Sequence, residues 1–221
     1  MSESAVALPS YIADALAMFP LLALHDAPWS MVTHAAALVR AAIRTLGSEY
    51  TVTDAVAVHH TAVVEPGAVL RGPVIVSRGC TVAAHAYLRG GVFLDEEVRI
   101  GPSCEVKASF IFRGSVLAHL NYAGDSLIGA SVNLEAGAVL ANHFNERPDK
   151  QICVVIDARV VPTGVEKFGA LVGDGSRIGA NAVTTPGTLL RPSSIVGRLT
   201  LVDQVTEFKT RQRDTPVGDS R

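Results

Sequence analysis

Every sixth residue from Val58 is large and apolar for ten steps: Val58, Val64, Leu70, Val76, Val82, Leu88, Leu94, Ile100, Val106 and Phe112. With apolar residues at about half of all positions, such a run arises by chance about once in a thousand trials. The period is neither 2 nor 3.6, which excludes an ordinary alternating strand and an amphipathic helix as its source. Residues four further on are small or β-branched, among them Ala62, Ala68, Val74, Cys80, Ala86 and Cys104. Gly and Pro punctuate the steps, as in Glu65-Pro66-Gly67, Arg71-Gly72-Pro73 and Gly101-Pro102. The phase then slips by four residues and resumes at Val116, Tyr122, Ile128, Leu134 and Leu140. It is lost over 141–167 and returns at Val172, Ile178, Thr184, Leu190 and Val196.

A six-residue repeat is the pattern of a parallel β-helix. The expected fold class is mainly β, a hexapeptide-repeat parallel β-helix with a short N-terminal α-helical cap. Residues 18 apart should stack on successive coils, about 4.8 Å from one another. About twenty hexads make six to seven coils, a prism roughly 32 Å long. A narrow interior explains an aromatic content of only 5% beside 48% hydrophobic residues. Residues 1–50 read as the helical cap, with helices over 10–24 and 29–46 broken near Asp26-Ala27-Pro28. Residues 51–203 read as the β-helix with a non-repeat insertion at 141–167, and residues 204–221 as a polar, extended tail.

A net charge of −2 and a pI of about 6.4 argue against nucleic-acid binding. No apolar run reaches the ~18 residues needed to span a bilayer. The start, MSES, has no basic residue, so no secretory signal is expected. Three cysteines without paired spacing suggest a reducing, cytoplasmic setting. Cys80 and Cys104 fall at small inward positions and read as core filler, and Trp29 as core of the helical cap.

One segment carries the chemistry. It contains His119-Leu120-Asn121-Tyr122-Ala123-Gly124-Asp125, then Ile128-Gly129-Ala130-Ser131-Val132-Asn133-Leu134-Glu135-Ala136-Gly137-Ala138, then Ala141-Asn142. It resembles the acetyltransferase domain of the bifunctional bacterial enzyme that makes UDP-N-acetylglucosamine, with its H-L-x-Y-x-G-D followed by I-G-x-x-V-N-x-G-A-G-T and a later Asn. Residues 163–187 look closer to archaeal sugar-phosphate nucleotidyltransferase/acetyltransferases. The resemblance covers about residues 55–196. It implies the left-handed form of the β-helix and an acetyl-CoA-dependent N-acetyltransferase of an amino-sugar phosphate, glucosamine 1-phosphate-like. It also implies a homotrimer, with the CoA groove between adjacent prisms, and no metal.

Residue by residue, the resemblance makes His119 the general base. Arg89, Lys107 and Tyr122 would hold the sugar phosphate, and Asn133 and Asn142 would make polar contacts to the sugar or acetyl group. Ala136 would make a backbone contact to the acyl-CoA thioester. Asp174 follows Val172-Gly173, where the bacterial enzymes place a Ser near the CoA, so it is assigned to the cofactor side. The chemistry is consistent: acyl transfer to an amine needs a base near neutral pKa, which histidine supplies. A backbone N–H suits the developing oxyanion. Arg89 and Lys107, 18 apart, should leave one corner of the prism as a phosphate-binding step.

No Gly-rich loop of the L-x-A-G-x-G-T type is present, so nucleotidyl transfer is not expected of these residues. Two other readings stand beside the first. One is an acyltransferase for another sugar or a nucleotide sugar. The other is a non-catalytic β-helix partnering a separate nucleotidyltransferase. A metal hydratase of the γ-carbonic anhydrase type shares the fold, but His85, His119 and His143 do not form its histidine set.

Overall fold

The computed structural model describes residues 6–214 and has the expected class: a mainly-β solenoid of parallel coils. Three faces, here called A, B and C, each carry seven rungs. Face B is a separate seven-stranded sheet running from Val63–Val64 to Ile195–Val196. Face A runs from Val69–Arg71 to Leu201–Val202, and face C from Val56–His59 to Thr188–Leu190. Strands Tyr87–Leu94 and Glu105–Ile111 turn the A/C corner without a break, so these two faces merge into one 13-stranded sheet. The interior is filled by Val, Ile, Leu, Ala and Cys, Cys80 and Cys104 among them. Burial pushes the Cys80 thiol up to about 12, which makes it inert.

The hexad phase holds through Val106 and then departs from expectation. Leu94 pairs with Ile111, and Ile111 with Ile128, steps of 17 rather than 18 residues. Two corner residues, Gly90 and Gly91, are matched by the single Ala108 on the next coil. The inward residues are therefore Ile111, Leu117 and Ala123, not Phe112, Val116 and Tyr122. Phe112 points outward into a second core, while Val116 and Tyr122 are half-buried on outer faces. Residues 141–167 contain a two-stranded hairpin, Cys153–Ile156 with Arg159–Pro162.

The N-terminal region is not an end cap. Its first part, expected as one helix, is broken by Pro9 and Pro20 into 3-10 turns and the four-residue α1 (Ala15–Met18). Helices α2 (Pro28–Thr33) and α3 (Ala35–Ile43) follow. This segment lies lengthwise on face C. Phe19 stacks tilted or edge-on with Phe93 and Phe110, and Trp29 packs edge-on against Phe168 after the insertion. Ile75, Leu127, Leu171 and Leu189 complete that lateral core. The solenoid end is instead covered by the antiparallel strand Tyr50–Thr53.

The tail is not extended over its described part. It forms α4 (Gln204–Asp214), capped by Asp203, whose carboxylate accepts the Thr206 N–H at 3.1 Å and its hydroxyl at 2.8 Å. Gln204 brackets Leu189, accepting from its N–H and donating to its carbonyl, both at 2.8 Å. The tail beyond residue 214 lies outside the described residues.

Candidate active site

His119 stands at the corner between faces B and A, just after Val116–Leu117 and before Tyr122–Gly124. It is exposed, and its side chain has no hydrogen-bond partner among the described residues. Each coil turns this corner through a left-handed residue: Gly67, His85, Ser103, Leu120, Gly137, Asn181 and Leu199. The residues just before them form a column, and their N–H groups point along it. Pro66 and Pro102 have no N–H. The Ala84 N–H is taken by Glu65 at 2.8 Å, and the Ala180 N–H by Glu135 at 3.0 Å. The N–H groups of His119 and Ala136 have no acceptor among the described residues. The corresponding lid positions on the coils before them are Gly101 and Ala118, too small to reach over. Ala136 lies directly below His119, because the next residue, Gly137, donates its N–H to the His119 carbonyl at 2.9 Å. The corner thus presents an imidazole and two adjacent open donors. The sequence reading missed this pattern, whose signal is Glu at 65 and 135 but Gly or Ala between.

Glu135 also binds Arg198 at 2.9 Å. Arg198 and the Ala180 N–H hold its carboxyl below the usual value of about 4.5. A depressed acid stabilises the fold above its unfolded pKa and loses that contribution as pH falls through the folded value. Thermal melting of the wild type should therefore fall more than that of Glu135→Gln between about pH 5 and pH 3. Parallel curves would count against the clamp.

A second cluster sits on face A toward the A/C corner. Arg71, Arg89 and Lys107 are direct partners on three consecutive coils, so the 18-residue stacking of Arg89 on Lys107 is present. Neither of these two cations is free. Arg89 is paired with Glu105 at 2.6 Å and Lys107 with Asp125 at 2.6 Å. The expected pair of repelling cations is in fact an alternating ladder of no net charge. Asp125, with a side chain 7% exposed, also accepts a short hydrogen bond from Asn142 Nδ2. Tyr122 joins Asn142 over Gly124, where a Cβ would meet the tyrosine oxygen at 2.5 Å and the amide nitrogen at 2.7 Å. Burial, with Asp125 and Glu105 nearby, pushes the Tyr122 phenol up, so it is a neutral donor at physiological pH. Arg89, Lys107, Tyr122 and Asn142 therefore come together as expected, and Glu105 and Asp125 are the members that sequence reasoning left out.

Two expected residues lie elsewhere. Asn133 is exposed on face B, beside Val116 and Arg177, away from the face-A cluster. Asp174 is built into the scaffold: its oxygens accept the N–H groups of Ala13 at 2.9 Å and Ala130 at 2.7 Å, and its own N–H binds the Tyr11 carbonyl. Both oxygens are occupied by the N-terminal segment and the neighbouring coil, so the carboxylate does not present itself to a cofactor. A cavity of about 540 Å³ is lined by Met18, Phe19, Leu21, Leu46 and Phe93 on the covered face C, remote from His119. Among the described residues no group of three or more His, Cys, Asp or Glu is placed to hold a metal, and no helix is long and apolar enough to cross a membrane.

No family model matches the chain. Over 124 residues it is 34% identical to a bifunctional protein GlmU of Methanococcus maripaludis, covering 55% of this chain and 29% of that protein. Over 121 residues it is 37% identical to a bifunctional sugar-1-phosphate nucleotidylyltransferase/acetyltransferase of Sulfurisphaera tokodaii, covering 52% and 29%. Over that stretch the chain is similar in sequence to these bifunctional proteins. It spans about three-tenths of the length of the bifunctional relatives it matches. Among solved structures, a hexapeptide transferase family protein from Anaplasma phagocytophilum aligns over 72% of this chain and 85% of its own, at 16% identity and a TM-score of 0.39.

Proposed function

We propose that the chain is an acyl-CoA-dependent N-acyltransferase, with acetyl-CoA as donor and an amino-sugar phosphate, glucosamine 1-phosphate-like, as acceptor. The observation that carries the reading is the B/A corner, where an unencumbered His119 stands beside the open N–H of Ala136. His119 takes the proton from the attacking amine. The Ala136 N–H donates to the thioester oxygen as it gains charge. The amine expels the CoA thiolate directly, so no enzyme nucleophile is needed. The sugar lies on face A, with Tyr122 and Asn142 donating to its oxygens and Arg89 and Lys107 facing its phosphate. That phosphate competes with Glu105 and Asp125 for the two cations.

Turnover of acetyl-CoA against a panel of amino sugars tests the reading; no turnover with any of them favours a non-catalytic β-helix. Arg89→Ala should raise KM for a phosphorylated acceptor several-fold more than for the unphosphorylated sugar, and added salt should weaken only the former. Equal effects on both would remove phosphate from the assignment.

The reading includes a homotrimer. Face C is covered within the chain, whereas the B/A corner exposes Leu120 (66%) and Leu199 (79%) and face B exposes Ile195 (76%). Closed symmetry is the usual way to bury exposed apolar residues of this kind. A monomer in light scattering at micromolar concentration would count against a site shared between copies.

A further inference from the structure

We propose that the gap between the N-terminal segment and face C binds a small carboxylic acid with an apolar body. The gap is the cavity of about 540 Å³ on that face, within the ~300–1,000 Å³ range of small-molecule sites. His119 stands at the corner between the other two faces, opposite face C. The site is therefore separate from the acyl-transfer groups.

The floor of the gap is buried Phe19, Ile75 and Phe93, the last two paired on adjacent rungs. Met18, Leu21 and Leu46 form a half-buried rim. Room is left by α3, which lines the gap with the small Ala41 and Ala42. An apolar rim left wet is unfavourable, and a ligand body that covers it removes that cost.

Charge decides the other end of the ligand. Among the described residues, Arg44 is the only charged one in the lining, and no acid lines the gap. The Arg44 guanidinium is exposed and makes no hydrogen bond or ion pair among the described residues. A cation at a helix C-terminus often serves to answer the last carbonyls. Here those carbonyls are answered already. The Ala41 carbonyl accepts the Arg44 N–H at 3.3 Å, and the Ala42 carbonyl accepts the Thr45 N–H at 3.0 Å and its hydroxyl at 2.9 Å. The Arg40 guanidinium, one turn earlier on α3, is exposed and equally without such a partner among the described residues. Like charges at i and i+4 repel, and an anion relieves them.

Two acids lie near in the chain, and neither competes. Glu49 folds back against Gly47, outside the lining. Asp95, two residues beyond Phe93, is buried and accepts the Arg113 N–H at 3.1 Å, with the Arg113 guanidinium at 3.6 Å. That ion pair touches the rim at Met18 and brings no net charge to it. A guanidinium fork fits a carboxylate through two parallel hydrogen bonds. One cation in the lining suits one negative charge, which a carboxylate carries and a phosphomonoester exceeds. A bound acid touches α3, the stretch from Met18 to Leu21 and two rungs of face C at once, and so ties the N-terminal segment to the solenoid.

The test is calorimetric titration of the full chain with decanoate and 2-naphthoate, each beside its alcohol, decanol or 2-naphthol. At least one carboxylate should bind at one site per chain and raise Tm as mass action requires. Its alcohol should bind about tenfold or more weakly, and Arg44→Gln should remove that advantage. Ala42→Phe should fill the gap and weaken acid and alcohol alike. Arg44 is exposed, so its variant keeps the fold even if Ala42→Phe disturbs α3. Saturating CoA with glucosamine 1-phosphate should leave the carboxylate affinity unchanged. Absence of binding by both carboxylates would overturn the proposal, as would equal affinity in wild type and Arg44→Gln. Competition with CoA would place the acid in the donor groove and overturn it too.

Discussion

His119→Ala is expected to lower acyl transfer by roughly 10²–10⁴-fold, the usual effect of removing a general base. The melting temperature should barely move, because the imidazole is exposed and makes no side-chain hydrogen bond among the described residues. The carbonyl of the residue, which accepts the Gly137 N–H, survives in alanine. Surface changes of this kind alter stability by about 0.5 kcal/mol or less. Thiol release from acetyl-CoA measures the rate, and circular dichroism the melt. An unchanged rate removes His119 from the mechanism. A collapse in stability would mean that the side chain is packed in solution and that the corner is not an open site.

Gly91→Ala should destabilise the chain by about 2–6 kcal/mol. Two costs add. The φ of +99° is one that an L side chain adopts only under strain, about 1–3 kcal/mol. A Cβ there would also sit 2.7 Å from Ala36 Cα and closer still to the backbone of Ala35 and Ala36, so the start of α3 must lift, about 1–3 kcal/mol more. Gly90→Ala is the control. Its φ is +75°, but a Cβ would find only Lys107 Cγ at 3.6 Å and the Ala108 nitrogen at 3.8 Å, ordinary contacts. Only strain remains there, about 1–2 kcal/mol. Equal midpoints for the two variants in urea would show that α3 does not rest on Gly91.

What could be read from the residues follows from which constraints are local. The hexads from Val76 to Val106 were placed correctly because those coils keep a constant step. One residue fewer at Ala108 displaced the inward positions only over 111–123, the expected register being regained at Ile128, and composition alone cannot distinguish Ile111 from Phe112 as the inward member when both are apolar. The stacking of Arg89 on Lys107 came from the same arithmetic, which applied to carboxylates would also have put Asp125, 18 residues on, beside Lys107. Asp203 followed by Thr206 was an available helix signal in the tail, overlooked because the segment is polar. The structural partners of Asp174 were hidden for a different reason. Its partners Tyr11 and Ala13 are some 160 residues away in the chain, and no periodicity reports them.

The N-terminal segment along face C changes how such a molecule should come apart. A bare solenoid behaves as a one-dimensional array, each coil touching only its neighbours, so its ends open independently of its middle. Here a single stretch of chain is tied to Asp174 and Arg191 through Tyr11, leans on Phe93 and Phe110 through Phe19, and ends on Gly91 through α3. Coils that never meet are thereby yoked to one strap. Fraying of the late coils has to peel that strap from the early ones, so amides from the third to the sixth rung should exchange as one cooperative block rather than in a gradient from the ends. The same closure joins residues separated by most of the chain, so the block should also be late to form.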